Sequence, residues 1–286
     1  MKVVFKSVGR LLFALAIAIM LGFLFIPLLS VFVSMSPVEL FQRLNTTVSY
    51  QALFLSLETT LFALLFILIF GTPIAYWLAK TTFAGKNVIK VIIQMPIVSP
   101  PAVAGVGLLL VFGHIGWLGA TFNFLGFSFS FNLQAVIMAQ VFISAPFYIS
   151  SAMQAFETID DKFLSVSRTL GISKLKTFGR VTLPLASSGL LTGAALSWGR
   201  ALGEFGATMM FAGNLPGKTQ TLPLAIYTAM QSDSHVAIAM SALLLFISFV
   251  LLLLVVLLGR LSPHGKLEKQ KGGESRAVVS FTKKSA

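Results

Sequence analysis

Glu157–Pro184, ETIDDKFLSVSRTLGISKLKTFGRVTLP, is the one long polar passage between apolar runs, and it decides how the rest of the chain is read. It carries five basic residues, Lys162, Arg168, Lys174, Lys176 and Arg180, and each flank is apolar enough to span a bilayer. From Ile159 to Leu170 the apolar positions (Ile159, Phe163, Leu164, Val166, Leu170) recur mostly at three and four residues. That spacing predicts a helix with one apolar stripe. Gly171 is placed to end it in the left-handed region. A second short amphipathic turn, Lys174 to Phe178, leads to Val181 and Pro184. The segment thus reads as a helix–turn–helix outside the membrane that presents a ridge to a partner protein.

Working outward, 56% of the 286 residues are hydrophobic, 10% are charged and the mean hydropathy is +0.91, which excludes an ordinary soluble domain. No cysteine is present, so neither a disulfide framework nor a thiolate metal site is available. In a soluble chain the net charge of +12 would suggest nucleic acid. Mapped onto loops, it is topology instead.

Six membrane crossings are expected, at about residues 11–35, 52–79, 91–112, 133–155, 187–211 and 235–259, with the polar loop at 157–184. The first follows a short basic start at residues 1–10 and is longer than a signal-peptide core, so a retained span is expected. In the second, Gly71 and Pro73 suggest a local bend, and Tyr76 and Trp77 an interfacial belt. The third contains Pro96, Pro100 and Pro101, so it is either kinked toward the bundle interior or preceded by a loop and begun at Pro101. Residues 113–132 hold no formal charge but many Phe and Gly, and read as an outer loop at headgroup level. Residues 261–286 read as a polar, disordered tail. Eighteen of the twenty-one Lys and Arg residues fall at the two ends of the chain, in the 80–90 loop and in the 157–184 loop. The positive-inside rule therefore expects both termini and the long loop to be cytoplasmic.

Within the fifth span, Arg200 and Glu204 are four apart and share a helix face. An ionisable residue there costs about 2.5–3.5 kcal/mol on insertion scales and ordinarily faces a cavity or the bundle interior. Gly203 and Gly206, with Gly199 and Ala195, give small-residue spacing for close helix approach. Two readings stay open: this face lines a pathway or a dimer seam, or Arg200–Glu204 is a neutralising pair that only fixes packing. Ala212–Thr219, AGNLPGKT, loosely resembles a phosphate-binding loop, but it follows a membrane span rather than a strand and falls on the outer side. Gly213, Asn214, Lys218 and Thr219 are better read as a turn that meets an external partner. His114, His235 and His264 are scattered with no carboxylate cluster, so neither a catalytic nor a metal site is expected. Glu58 reads as interfacial.

Gly171, nine residues, then Val181-Thr182-Leu183-Pro184, resembles the cytoplasmic signature of ABC importer permeases: Glu-Ala-Ala, three residues, Gly, nine residues, Ile-x-Leu-Pro. Here Ser165-Val166-Ser167 stands in place of Glu-Ala-Ala, which keeps the residues small and removes the carboxylate. ALGEFGATMMFAGNLPGKTQTLPLAIY further resembles the molybdate/tungstate permease family and its sulfate/thiosulfate relatives. The resemblance implies an all-α integral membrane protein with six transmembrane helices and a cytoplasmic coupling helix, the type I ABC importer permease fold, in a bacterial or archaeal plasma membrane. It implies a homodimer with a second permease copy, two cytoplasmic ABC ATPase subunits that hold ATP and Mg, and an external oxyanion-binding protein. This chain would bind no cofactor itself. Ser165, Val166, Ser167, Leu170 and Gly171 would contact the ATPase, with Leu183 and Pro184 at the return to the membrane. The rival classes are an ATP-independent secondary transporter, which needs coupling residues of its own, and a membrane enzyme, which needs convergent catalytic groups.

Overall fold

The computed structural model describes residues 2–126 and 129–261. In chain order its helices are α1 (Lys2–Val33), α2 (Pro37–Leu44), α3 (Thr47–Lys80), α4 (Lys86–Val98), α5 (Pro101–Phe112), α6 (Gly119–Phe124), α7 (Leu133–Glu157), α8 (Asp161–Thr169), α9 (Lys174–Thr177), α10 (Leu183–Leu202), α11 (Gly206–Phe211), α12 (Leu222–Met230) and α13 (Ser234–Leu261). One π-helical turn, Phe178–Thr182, joins α9 to α10. No strand occurs among the described residues. The expected tail, including Lys266, Lys269, Lys271, Arg276, Lys283, Lys284 and His264, lies outside them.

Among the described residues, four helices are long and apolar enough to cross a membrane: Leu12–Val33 within α1, Thr47–Lys80, Leu133–Glu157 and Ser234–Leu254 within α13. Five crossings result if the bent pair α4–α5 is one span. That pair turns through 112°. Pro100 and Pro101 lack the N–H groups that would carry a helix through the bend, and the residues before Pro101 form a helix rather than a loop. The stretch expected as a single fifth crossing, 187–211, is divided: α10 ends at Leu202 and α11 restarts at Gly206.

The centre of the bundle is α7, with α3 packed on one side and α10 on another. Close approach is set by missing side chains. A Cβ on Gly71 of α3 would come within 3.0 Å of the Tyr148 ring, and one on Gly193 of α10 within 2.8 Å of Ser151 Cβ. Around these contacts Ile67, Ala75, Leu78, Tyr148, Ala152 and Phe156 form the largest core cluster. A second cluster joins α5, α7 and α11 through Ala104, Leu108, Val136, Ala139, Ala207 and Phe211. By contrast, α1 exposes nearly all of its described apolar side chains, and among the described residues its main packing partner is α13. Such an all-round apolar, uncovered helix is what lipid as solvent permits.

Several polar groups inside the bundle are paired across helices. On α3, Ser56, Thr59 and Thr60 are buried. Gln140 Nε2 of α7 donates to Thr59 Oγ1 (3.1 Å), Trp198 Nε1 of α10 to Thr60 Oγ1 (3.0 Å), and the Leu222 N–H of α12 to Ser56 Oγ (2.6 Å). Ser197 Oγ of α10 donates to the Ser144 carbonyl of α7 at 2.9 Å. These bonds fasten four helices at one level, where unpaired polar groups would be costly.

Candidate functional site

The ridge is built locally and then bolted down. Asp160 caps α8 by accepting the Lys162 N–H at 2.9 Å. At the other end Gly171, at φ +73°, lets its N–H reach the Arg168 carbonyl and the Ile172 N–H reach the Ser167 carbonyl. The expected left-handed stop is therefore found at Gly171. The α8 and α9 arms are tied by a buried Ser167 Oγ–Thr177 Oγ1 bond of 2.8 Å. Phe178 then packs on Tyr76 (ring centroids 4.9 Å apart) and on Phe156 (6.2 Å), so the arm ends in the main core. Leu183 opens α10 and Pro184 sits in its first turn, where a missing N–H costs nothing.

Two lysines from elsewhere in the sequence hold the base. Lys80 Nζ, at the end of α3, donates to the Ile159 carbonyl at 2.8 Å and to Asp161 Oδ1 at 2.7 Å. Lys90 of α4 pairs with Glu157 at the end of α7 (3.1 Å). The ends of α3, α4 and α7 are thus joined to the ridge.

The single apolar stripe expected on this helix is split in two. Ile159 and Leu164 are buried against the bundle, whereas Phe163, Val166 and Leu170 are 57–73% exposed. With Asp160, Lys162, Ser167, Ile172 and Val181 the outward residues line an apolar groove of about 530 Å³. Leu175 adds another exposed knob. Ser165 is exposed and turns its hydroxyl onto the Asp161 carbonyl (2.9 Å). Val166 therefore points out and Ser167 in.

Arg200 and Glu204 do meet: Arg200 Nη2 lies 2.6 Å from Glu204 Oε2, an i,i+4 ion pair. Glu204 is 1% exposed and the Arg200 side chain 28%. Glu204 also accepts the Ala207 N–H at 2.8 Å, so its carboxylate occupies the start of α11 after the 203–205 break. The small residues around it part company. Gly206 faces inward, since a Cβ there would come within 2.7 Å of Pro101 Cβ, while Gly199 has nothing within 4 Å and Gly203 nothing nearer than 3.7 Å. Gly199 and Gly203 are exposed in the single chain.

At the opposite end from the ridge, Gly213 (φ +74°) turns the chain beside the Phe131 ring. Asn214 Nδ2 donates to Thr228 Oγ1 and its Oδ1 accepts from Gln220 (both 2.9 Å). Thr219 is buried and accepts the Leu215 N–H. Asn214 and Thr219 thus shape this turn, and Lys218 projects from it. His235 and Glu39 approach to 3.5 Å nearby, Arg43 and Asp233 to 3.1 Å. Glu58 is half-buried on α3. Among the described residues, no three His, Asp or Glu side chains converge as a metal-ion cluster.

Sequence reasoning missed Lys80 and the buried hydroxyl–amide belt of Ser56, Thr59, Thr60, Gln140, Ser144, Ser197 and Trp198. The spacing of Ser56, Thr59 and Thr60 on one face of α3 was the available signal.

A family profile described as "Binding-protein-dependent transport system inner membrane component" matches residues 71–263. Among curated relatives, the probable transport system permease protein NifC of Clostridium pasteurianum is 38% identical over 246 residues, covering 85% of this chain and 86% of that one. The molybdenum transport system permease protein ModB of Mycobacterium bovis is 35% identical over 231 residues, covering 81% and 88%. Among solved structures, a subunit of a bacterial ABC transporter that imports the acidic polysaccharide alginate superposes with a TM-score of 0.69 over 91% of this chain and 98% of that one. At 15% identity that likeness concerns the fold alone.

Proposed function

This chain belongs to the family of binding-protein-dependent transport system inner membrane components, and from that premise we propose that it is the membrane subunit of an ATP-driven importer of an oxyanion, molybdate or tungstate. The observation that carries the reading is the ridge, a preformed apolar groove bolted to α3 by Lys80, with Lys90 of α4 holding the end of α7 beside it. A surface that receives force needs stiffness and shape rather than acid–base groups, and Phe163, Val166 and Leu170 supply apolar knobs on a capped helix. In this reading a cytoplasmic ATPase seats on the ridge, with ATP and Mg held on that partner.

Two copies of the chain pair through the exposed Gly199–Gly203 face, giving six crossings each, with α10–α11 as the sixth despite its break. Both termini and the ridge face the cytoplasm, on the basis of the lysine and arginine distribution. An external binding protein delivers the anion to the end that carries Lys218 and the 212–221 turn. Charge-poor crossings suit a dianion that must pass without being trapped. Glu204, buried and paired, leaves Arg200 little free positive field, so cargo selection rests with the binding protein.

The test is uptake of radiolabelled molybdate into liposomes holding this chain, its ATPase and its binding protein, with sulfate as competitor. ATP-dependent molybdate uptake that excess sulfate does not suppress supports the reading. Preference for sulfate assigns the sulfate/thiosulfate class. Uptake driven by an ion gradient without the ATPase returns the chain to the secondary-transporter class.

A further inference from the structure

The connection between α5 and α7 carries an unusual surface. Ile115 is 98% exposed, Trp117 86%, Phe124 90% and Leu125 61%. These are not loose ends. The Trp117 and Leu118 N–H groups fold back onto the Leu110 and Val111 carbonyls (3.2 and 2.9 Å), and Gly116 N–H onto the Gly113 carbonyl (2.8 Å). Beneath them Phe112, Phe122 and Phe129 form an aromatic cluster with ring centroids 5.0–6.4 Å apart. Much of the backbone is thus internally bonded and the underside packed, while the large apolar side chains point away from the protein.

We infer that residues 113–125 form an anchor immersed in the headgroup layer of the bilayer, with Ile115, Trp117, Phe124 and Leu125 as its lipid contacts. The occupant follows from the chemistry. No Asp, Glu, Lys or Arg occurs anywhere between Lys90 and Glu157, so this segment supplies none of the formal charge common at the rim of a releasable protein interface. Trp and Phe beside satisfied backbone match the aromatic belt of a membrane–water interface. The patch is also continuous with lipid-level helices: Leu110 of α5 is 64% exposed just before it.

The anchor has a consequence for the fold. Gly105 of α5 lies against Ala207 and Met210, and Gly206 against Pro101, so α5 and α11 pack with almost no space between them. Pinning the outer end of α5 at a set depth therefore also sets the depth of the break at 203–205 and of Glu204. The immersion stands on the surface itself. Only the assignment to the outer leaflet rests on the orientation proposed above.

The chain contains no cysteine, so single cysteines can be introduced without background. Ile115→Cys, Trp117→Cys and Phe124→Cys remove side chains that are 86–98% exposed, and each is spin-labelled in the full chain, reconstituted in phosphatidylethanolamine–phosphatidylglycerol liposomes. Lys218→Cys is the aqueous reference and Phe62→Cys, on the exposed face of α3, the lipid reference. The expected result is an oxygen-to-nickel-chelate accessibility ratio several-fold above that at position 218 and below that at position 62. A ratio equal to that at 218 overturns the inference, because the loop is then in water. Low accessibility to both reagents at all three positions overturns it as well, because a second copy or another protein then covers the patch. Neither result bears on whether the liposomes take up molybdate, so this inference and the transport reading fail separately.

Discussion

Replacing Lys80 with methionine is expected to loosen the ridge far more than neutralising its acidic partner. The ammonium makes two bonds, 2.8 Å to the Ile159 carbonyl and 2.7 Å to Asp161 Oδ1. The Lys80 side chain is 15% exposed, the Asp161 side chain 79%. Water screens the ion pair from the Asp161 side, which limits it to below about 1 kcal/mol. A charge-assisted bond to a carbonyl contributes about 1.5–3 kcal/mol. Lys80→Met should therefore destabilise the base of the ridge by about 2 kcal/mol, and Asp161→Asn by less than about 1 kcal/mol. Amide hydrogen exchange across Asp160–Leu170 reads this directly. About 2 kcal/mol corresponds to roughly thirtyfold faster opening, against a fewfold change for Asp161→Asn. In the reconstituted transporter, Lys80→Met should also raise the ATP consumed per anion moved, because a looser ridge transmits less. Equal exchange effects from the two variants, or none from Lys80→Met, would refute the assignment of the carbonyl bond as the principal tie.

Gly171→Val should lower coupled ATPase activity and transport while membrane insertion survives. Open space surrounds a Cβ at this position, so the cost is the backbone at φ +73°, about 1–2 kcal/mol, and Gly171→Asn should be milder when both are compared in the uptake assay. Removing one partner of the Arg200–Glu204 pair should depress the thermal midpoint in detergent, whereas Arg200→Met combined with Glu204→Gln should recover much of the loss, since the glutamine still accepts the Ala207 N–H. If the double variant is the least stable of the three, the pair is not acting by mutual neutralisation. Gly193→Val should cost about 1–3 kcal/mol by forcing α10 off Ser151, while Gly107→Ala on α5, with nothing within 4 Å, should not lower detergent stability. Thermal unfolding followed by tryptophan fluorescence separates the two.

The amino-acid sequence by itself determined that this chain lives in a bilayer, where its main apolar runs fall, and that a polar helix–turn–helix stopped at Gly171 lies between two of them. Each is a local property: hydropathy over about twenty residues, a three-to-four periodicity, one glycine where φ must be positive. Only the tertiary structure decided which part of an apolar stripe is covered. Periodicity placed Phe163, Leu164 and Val166 on one helix without saying that Leu164 turns to the core and the other two away from it, because burial in lipid, in the protein's own core or in an interface would each favour the same apolar side chains. It also decided the pairings of Gln140 with Thr59 and Lys80 with Asp161, each spanning 81 residues, and the division of 187–211 around Glu204. Those features depend on which helices come to lie side by side, and no window along one helix contains that information.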